Sequence, residues 1–254
     1  MAEQTVRDSY GIMSSVTEKG FRAGVELEIE DVQGMRKALA LWNPTTDGSL
    51  RNNGKEFISA PSDRKTLVEG FKQLHASLIH SAEPEPFSER TSIHVHVNCL
   101  DNTVDETRSI ILWYALFEPV FFALCHESRR NNIHCVGLDQ TVLSGIYRRP
   151  LSIYTSKWSK YTALNVLPLK ELGTIEFRHM EGHDNAERFE DWLTILENLW
   201  AYGKKERFRK ELLNDAGVAA AFEAIFGGTK AAKYRAFVKN MTANNLMDVK
   251  LSFI

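Results

Sequence analysis

The stretch Ser92–Cys99, SIHVHVNC, sets His94, His96 and Asn98 in alternation with Ile93, Val95 and Val97. Strict alternation of β-branched apolar residues with polar ones predicts a strand with two unlike faces. The polar face is the unusual one. A half-buried strand ordinarily turns Lys, Thr or Glu to water, whereas two imidazoles and an amide in a row supply neutral ligands for a metal or a phosphate.

Working outward, two further stretches repeat the inversion. Gly24–Glu30, GVELEIE, puts Glu26, Glu28 and Glu30 on one face and Val25, Leu27 and Ile29 on the other. Gly173–His179, GTIEFRH, places Glu176 and Arg178 on either side of Phe177 in sequence but on one face of a strand. Side chains two apart on a strand are separated by roughly 6.5 to 7 Å, so two such carboxylates can each hold a different ion of one cluster. Three acids in alternation repel one another in a low dielectric and call for a cation: bound metal, Arg178, or plain solvation of an open face. For one strand alone, solvent is the simpler reading, just as His94 and His96 could be hydrogen-bonded structural histidines and Glu176–Arg178 a surface ion pair of little worth. Recurrence on three strands favours a metal site.

The bulk composition narrows the field. The chain has 254 residues, 43% hydrophobic and 25% charged, which suits a soluble globular protein with a sizeable core. A formal net charge of -2 gives no general pull toward nucleic acid or an anionic membrane. No apolar run approaches the roughly 20 residues that span a bilayer. Cys99, Cys125 and Cys135 are odd in number and widely spaced, so reduced thiols and a cytoplasmic setting are expected, and the N-terminal stretch has no signal-peptide pattern. Neither G-x-G-x-x-G nor G-x-x-x-x-G-K-[ST] occurs, which argues against Rossmann and P-loop sites.

In chain order the sequence predicts a polar lead-in over 1–20, a catalytic domain over 21–204 and a helical extension over 205–254 packed on the same domain. Within it we expect a strand over 21–30, then a helix over 31–42 from the run MRKALALW, ended by Asn43-Pro44. The turn Asp47-Gly48-Ser49 leads into a second strand, SLRNNGKEFISAP, carrying Glu56. Ser62 or Asp63 caps a helix over 64–81, and Thr103 or Asp105 starts a long apolar helix through Leu124 that Pro119 should kink. A polar loop, SRRNNIHC, holds Arg129 and Arg130; strands follow over 161–167 and 172–179, then helices from Asn185 onward. This mixed order predicts an α+β fold with an antiparallel sheet.

The ordered set GVELEIE, DGSLRNNGKEFISAP, SIHVHVN, SRRNN and KYTALNVLPLKELGTIEFRHMEG resembles the amidoligases, carboxylate-amine ligases of the glutamine synthetase and glutamate-cysteine ligase fold. It covers roughly Arg22 to Trp200. The resemblance implies a curved antiparallel sheet, like the glutamine synthetase catalytic domain, holding ATP and Mg²⁺ or Mn²⁺ on its concave face with helices on the convex side. It implies that Glu26 and Glu28 divide between two metal sites, with Glu56, His94 and Glu176 as further ligands. His96 matches a contact to phosphate or nucleotide, with Asn98 and Arg178 on the same cofactor side; Arg178 also resembles the arginine that stabilises the transferring phosphoryl group. Arg129 or Arg130 would add a second positive charge. Where glutamine synthetase has two glutamates on the second strand this chain has Glu56 alone, so Asp47 or Glu30 would complete the site, and with Ser49 they stand on the substrate side.

The implied reaction joins a small-molecule or peptide carboxylate to an amine through an acyl phosphate, at the expense of ATP. Neither substrate nor the oligomeric state follows from the sequence. Two other classes compete. The H-x-H strand also suits a zinc hydrolase, although no glutamate follows soon after His96. Lys204, Lys205, Arg207, Arg209 and Lys210 could touch nucleic acid in a noncatalytic protein, but the interspersed Glu206 and Glu211 favour a solvated helical surface.

Overall fold

A computed structural model describes residues 3–13, 20–138, 146 and 158–251. Its strands are β1 (Ala23–Ile29), β2 (Gly34–Met35), β3 (Trp42–Thr46), β4 (Lys55–Ser59), β5 (Leu78–Ile79), β6 (Ser92–Asn98), β7 (Leu164–Asn165) and β8 (Thr174–Glu181). The helices are α1 (Val6–Tyr10), α2 (Arg64–Ser77), α3 (Val104–Ala123), α4 (Ala186–Lys205), α5 (Asp215–Phe226) and α6 (Val238–Leu251). Six strands form one sheet in the order β3-β4-β1-β6-β8-β7, with every neighbouring pair antiparallel. β2 and β5 make a separate two-stranded ribbon. The fold is therefore α+β, an antiparallel sheet with helices.

Alternation along the strands decides which way the sheet faces. Val25, Leu27, Ile29, Ile93, Val95, Val97, Ile175 and Phe177 are at most 1% exposed, so the apolar set of each strand forms one continuous layer against the helices. α3 supplies the other half of that core. Thr103 caps it through a capping box, its Oγ1 accepting from Glu106 N–H while Glu106 Oε2 accepts from Thr103 N–H. Ile110 through Phe117 are buried on every side of the helix, the pattern of a helix enclosed all round rather than one lying on a surface. Tyr114 and Phe121 meet Phe177 of the sheet at 5.7 and 6.2 Å between ring centroids. On other sides of α3, Phe117 meets Phe226 of α5 and the Ala115 carbonyl accepts from Asn245 of α6. α4 closes the layer, with Trp192 edge-on to Phe121 and Phe189 stacked on Phe71 of α2 at 4.4 Å.

Five local expectations are corrected. No helix forms over 31–42. Asp31 takes a left-handed φ of 54°, its carboxylate accepts from Gln33 and from the Ser81 hydroxyl, and Gly34–Met35 pairs with β5. Such side-chain bonds offer the backbone an alternative to helix. Pro44 does not follow a helix; it lies inside β3, the outermost strand, where a residue without an N–H is tolerated. The strand expected over 49–61 is confined to Lys55–Ser59, because Asn52 and Asn53 adopt φ of 52° and 57° in the β3–β4 turn. The strand expected over 161–167 shrinks to Leu164–Asn165 before a 3-10 turn at Leu167–Leu169. The helix from Arg64 stops at Ser77, since Leu78–Ile79 pairs with β2. Among the described residues no helix is long and apolar enough to cross a membrane.

Candidate functional site

Residues directly opposite each other in an antiparallel pair project to the same face, so register alone assembles the polar face. Across β3, β4 and β1 it sets Thr45 opposite Glu56 and Glu56 opposite Glu28. Across β1 and β6 it sets Glu26 opposite His94. Across β6, β8 and β7 it sets His96 opposite Glu176 and Glu176 opposite Asn165. Three strands with inverted polarity thus pool their charged side chains in the middle of the sheet.

Two groups of ligand atoms result, each within 4.8 Å: Glu26 with His96 and Glu176, and Glu28 with Asp47 and Glu56. His96 Nε2 lies 3.2 Å from Glu26 Oε1 and 3.9 Å from Glu176 Oε1, yet it is buried without a well-formed hydrogen bond. His94 belongs to the first group too, its Nδ1 3.2 Å from Glu26 Oε2 and 3.5 Å from Glu176 Oε1. Ser92 links the groups. Its Oγ donates to Glu28 Oε2 at 2.6 Å and sits 2.7 Å from His94 Nε2. A hydroxyl has one proton to give, so with that proton on Glu28 it accepts from His94 Nε2–H. His94 Nδ1 then faces two carboxylates, a position that a proton on Nδ1 or a cation between them satisfies.

The electrostatics point the same way. Burial opposes ionisation of Glu26, but the adjacent imidazoles of His94 and His96 outweigh it and hold the carboxyl well below its usual range. Burial would lower His96, yet the close approach of Glu26 and the charges of Glu26 and Glu176 raise it. Glu56 is raised, first by burial and then by the negative charge of Glu26 and Glu28, against the bond from Thr45. Negative charge in the second group therefore exceeds what the protein itself compensates. An all-oxygen trio beside two carboxylates and imidazole is the donor chemistry of Mg²⁺ or Mn²⁺.

Arg178 stands beside the first group, its Nη1 paired with Glu176 and 3.5 Å from His94 Nδ1. Two cavities reach this face from different ends of β1. The smaller, about 280 Å³, is walled by Ile58, Pro61 and Leu172 over Gly24 and touches Glu26, His96 and Asn98. The larger, about 870 Å³, is polar and reaches Glu28, Asp47, His94 and Arg178.

The remaining sequence-predicted residues distribute as follows. Asp47 joins Glu28 and Glu56, while Ser49 lines the larger cavity and donates its N–H to Asp47 Oδ1 at 2.8 Å. Glu30 lies beyond the end of β1, 1% exposed and away from both groups; it accepts from Arg51 N–H and from the Arg51 guanidinium, and so fastens the β3–β4 turn. Asn98 accepts from Leu100 N–H and lines the smaller cavity. Arg129, 3% exposed, lines the larger cavity but donates to the carbonyls of His179 and Arg178, holding the 126–132 loop on β8. Arg130 is exposed and lines neither cavity.

Three residues escaped the sequence reading: Ser92, Thr45 and Asn165. Ser92 shares the alternation of His94 and His96, so its face was readable and only its role was not. Thr45 and Asn165 are recognised through strand pairing alone; Asn165 Nδ2 donates to Glu176 Oε2 at 2.7 Å.

The sequence matches no protein-family model and no curated protein. Among solved structures the chain is similar to GmaS in its ADP complex, at 14% identity over 89% of this chain and 70% of that one, with a TM-score of 0.47. It is likewise similar to ligand-free GmaS, at 14% identity over 89% and 69% of the two chains, with a TM-score of 0.45.

Proposed function

We propose that the protein is an ATP-dependent carboxylate-amine ligase that forms an amide through an acyl phosphate. The observation that carries this reading is the pair of acid groups on one sheet face, with Arg178 on Glu176 of the first and a different cavity at each end. A carboxylate does not acylate an amine directly, because its leaving group would be oxide. In the proposed sequence a carboxylate oxygen attacks the γ-phosphorus of ATP, the bond to ADP breaks, and the amine nitrogen then displaces inorganic phosphate from the acyl carbon while releasing a proton. Catalysis of both steps is mainly alignment and neutralisation of phosphate charge.

Glu26, His94, His96 and Glu176 would hold one divalent cation, and Glu28, Asp47 and Glu56 another. Bound cations would supply neutralisation of the triphosphate and of the transferring group. Arg178 is pre-aligned by Glu176 to meet the developing charge on the phosphoryl oxygens. The apolar cavity over Gly24 suits a nucleoside, and the polar one suits the carboxylate and the amine. Ser92 and Asn165 fix the orientation of Glu28, His94 and Glu176, so the ligand atoms need no rearrangement on binding.

The test is a screen of carboxylates and amines for release of ADP and phosphate with Mg²⁺, followed by mass spectrometry of the product. Formation of an amide with one ADP per bond is the expected result. Tightly held zinc together with ATP-independent hydrolysis would replace this reading with a metallohydrolase.

A further inference from the structure

The larger cavity is built from both edges of the sheet. Asp47 and Ser49 follow β3, the outer strand at one edge, and Lys160 and Tyr161 precede β7, the outer strand at the other. Five inter-strand gaps of about 4.8 Å separate those edges by about 24 Å along the sheet. The cavity's volume, about 870 Å³, is near the upper end of the roughly 300–1,000 Å³ typical of sites that enclose drug-sized ligands. A free amino acid bound beside Arg178 would fill only a small part of that volume.

The rims carry chemistry of their own. At the β7 edge, Lys160 Nζ sits 5.0 Å over the Tyr161 ring, Tyr161 meets His134 edge-on at 5.3 Å, and Ile133 is 75% exposed. At the β3 edge, Arg90 donates through Nη1 to the Ser49 carbonyl at 3.0 Å. Among the described residues neither Lys160 nor Arg90 has a carboxylate partner, although ion pairs are frequent elsewhere on this surface. Asn131 and Asn132 belong to the same lining, residues whose amides can match the groups of a peptide backbone, although Asn132 Oδ1 already accepts from His134 N–H at 2.8 Å.

We infer that the carboxylate this site acts on is borne by an acidic peptide segment, held across the sheet with further acidic side chains on Arg90 and Lys160 and an apolar side chain against Ile133 and Tyr161. The inference rests on the ligase reading for what happens to the carboxylate, and on the cavity alone for what binds. An extended chain covers about 3.3–3.6 Å per residue, so several residues are needed to engage both rims.

Two measurements on the full chain test it separately. In the first, a fluorescently labelled octapeptide of alternating Glu and Ala is titrated by anisotropy, beside a version with Gln for Glu, with free glutamate as competitor. The acidic peptide binds at least tenfold more tightly than the Gln peptide or glutamate, and the double variant Arg90→Ala, Lys160→Ala loses at least tenfold while keeping the parent's melting temperature. In the second, hydroxylamine replaces the amine, and hydroxamate formed with ATP and Mg²⁺ is compared for peptide and free glutamate or aspartate. Peptide kcat/KM exceeds that of either free acid by at least tenfold. Equal or better binding and turnover of a free acid overturns the peptide assignment and leaves the ligase reading standing. Peptide binding without ATP consumption supports the peptide assignment and overturns the ligase reading.

Discussion

Asn165 donates through Nδ2 to Glu176 Oε2 at 2.7 Å, and the two residues are 5% and 4% exposed. Because they face each other across β7 and β8, the amide pins one carboxylate oxygen and leaves Oε1 directed at His94, His96 and Arg178. Asn165→Ala frees that carboxylate to rotate. Mn²⁺ affinity measured by titration calorimetry should fall roughly 10- to 100-fold, the usual cost of losing a partner behind a metal ligand, with circular dichroism unchanged. Unaltered affinity would take Glu176 out of the ligand set.

Arg178→Ala should lower turnover about 10²- to 10³-fold, on the order of 2.7–4 kcal/mol in the barrier, by analogy with removal of an oxyanion donor. Arg178→Lys should recover only part of the loss, since a point charge cannot reproduce two-point contact with a phosphoryl group. Steady-state ADP release reads both. Near-parental rates in a folded Arg178→Ala protein exclude the assigned role.

Glu56 is raised by burial and by the charges of Glu26 and Glu28, so removing its charge relieves repulsion in the metal-free protein while weakening the second acid group. Glu56→Gln should therefore melt higher than the parent in EDTA yet show a smaller rise in melting temperature with added Mg²⁺ and ATP. A parental response to Mg²⁺ and ATP would separate Glu56 from cation binding.

Glu118, 5% exposed in α3, accepts from the Tyr114 hydroxyl and from Leu138 N–H, yet burial pushes its carboxyl up to about 7 from an ordinary 4.5. The folded form therefore binds more protons than the unfolded form between those pH values, and this group's contribution to stability falls as pH rises through the window. The whole span is on the order of 3 kcal/mol. His179, pushed down to about 3 by burial, acts in the opposite sense, favouring the fold as pH rises from about 3 to 6.5. Glu118→Gln removes the first effect and keeps the second. The variant should be more stable than the parent at pH 8 and show no gain at pH 5, measured by urea denaturation at both.

Gly24 is the floor of the apolar cavity. A Cβ there meets His96 Cβ and Ser59 O no closer than 4.0 Å, so Gly24→Ala should fold and work normally. Gly24→Val adds methyl groups to a space of only about 280 Å³. An increase in KM for ATP on the order of tenfold is expected, with the melting temperature held. An unchanged KM would place the nucleoside elsewhere.

The sequence disclosed those parts of the site that are written locally. Glu26, Glu28, His94, His96, Glu176 and Arg178 were legible because a period of two reports the face of a strand without knowledge of its neighbours. Asp47 was legible only as a candidate. Its meeting with Glu28 and Glu56 depends on a turn closed by left-handed Asn52 and Asn53 and clamped by Glu30 on Arg51. The run MRKALALW has helical composition, yet pairing of Gly34–Met35 with Leu78–Ile79, more than forty residues away, prevailed over propensity. Asn165 behind Glu176 and Arg129 on the β8 carbonyls are consequences of assembly, and no spacing in the chain encodes them.

Between Ile93 and Val95 the pairing of β6 with β8 slips: Ile93 faces Met180, but Val95 faces Phe177, so one residue of β6 is matched by two of β8. The extra residue shifts the phase of β8 partway along its length. His179 and Met180 can both turn to the apolar layer, His179 reaching Tyr114 at 2.6 Å, while Arg178 stays on the polar side. Strict alternation from Phe177 onward would send Met180 into the charged trough; the bulge keeps it in the apolar layer opposite Ile93. The apolar backing of the proposed site thus owes its continuity to one extra peptide unit in β8, a matter of chain length and not of side-chain choice.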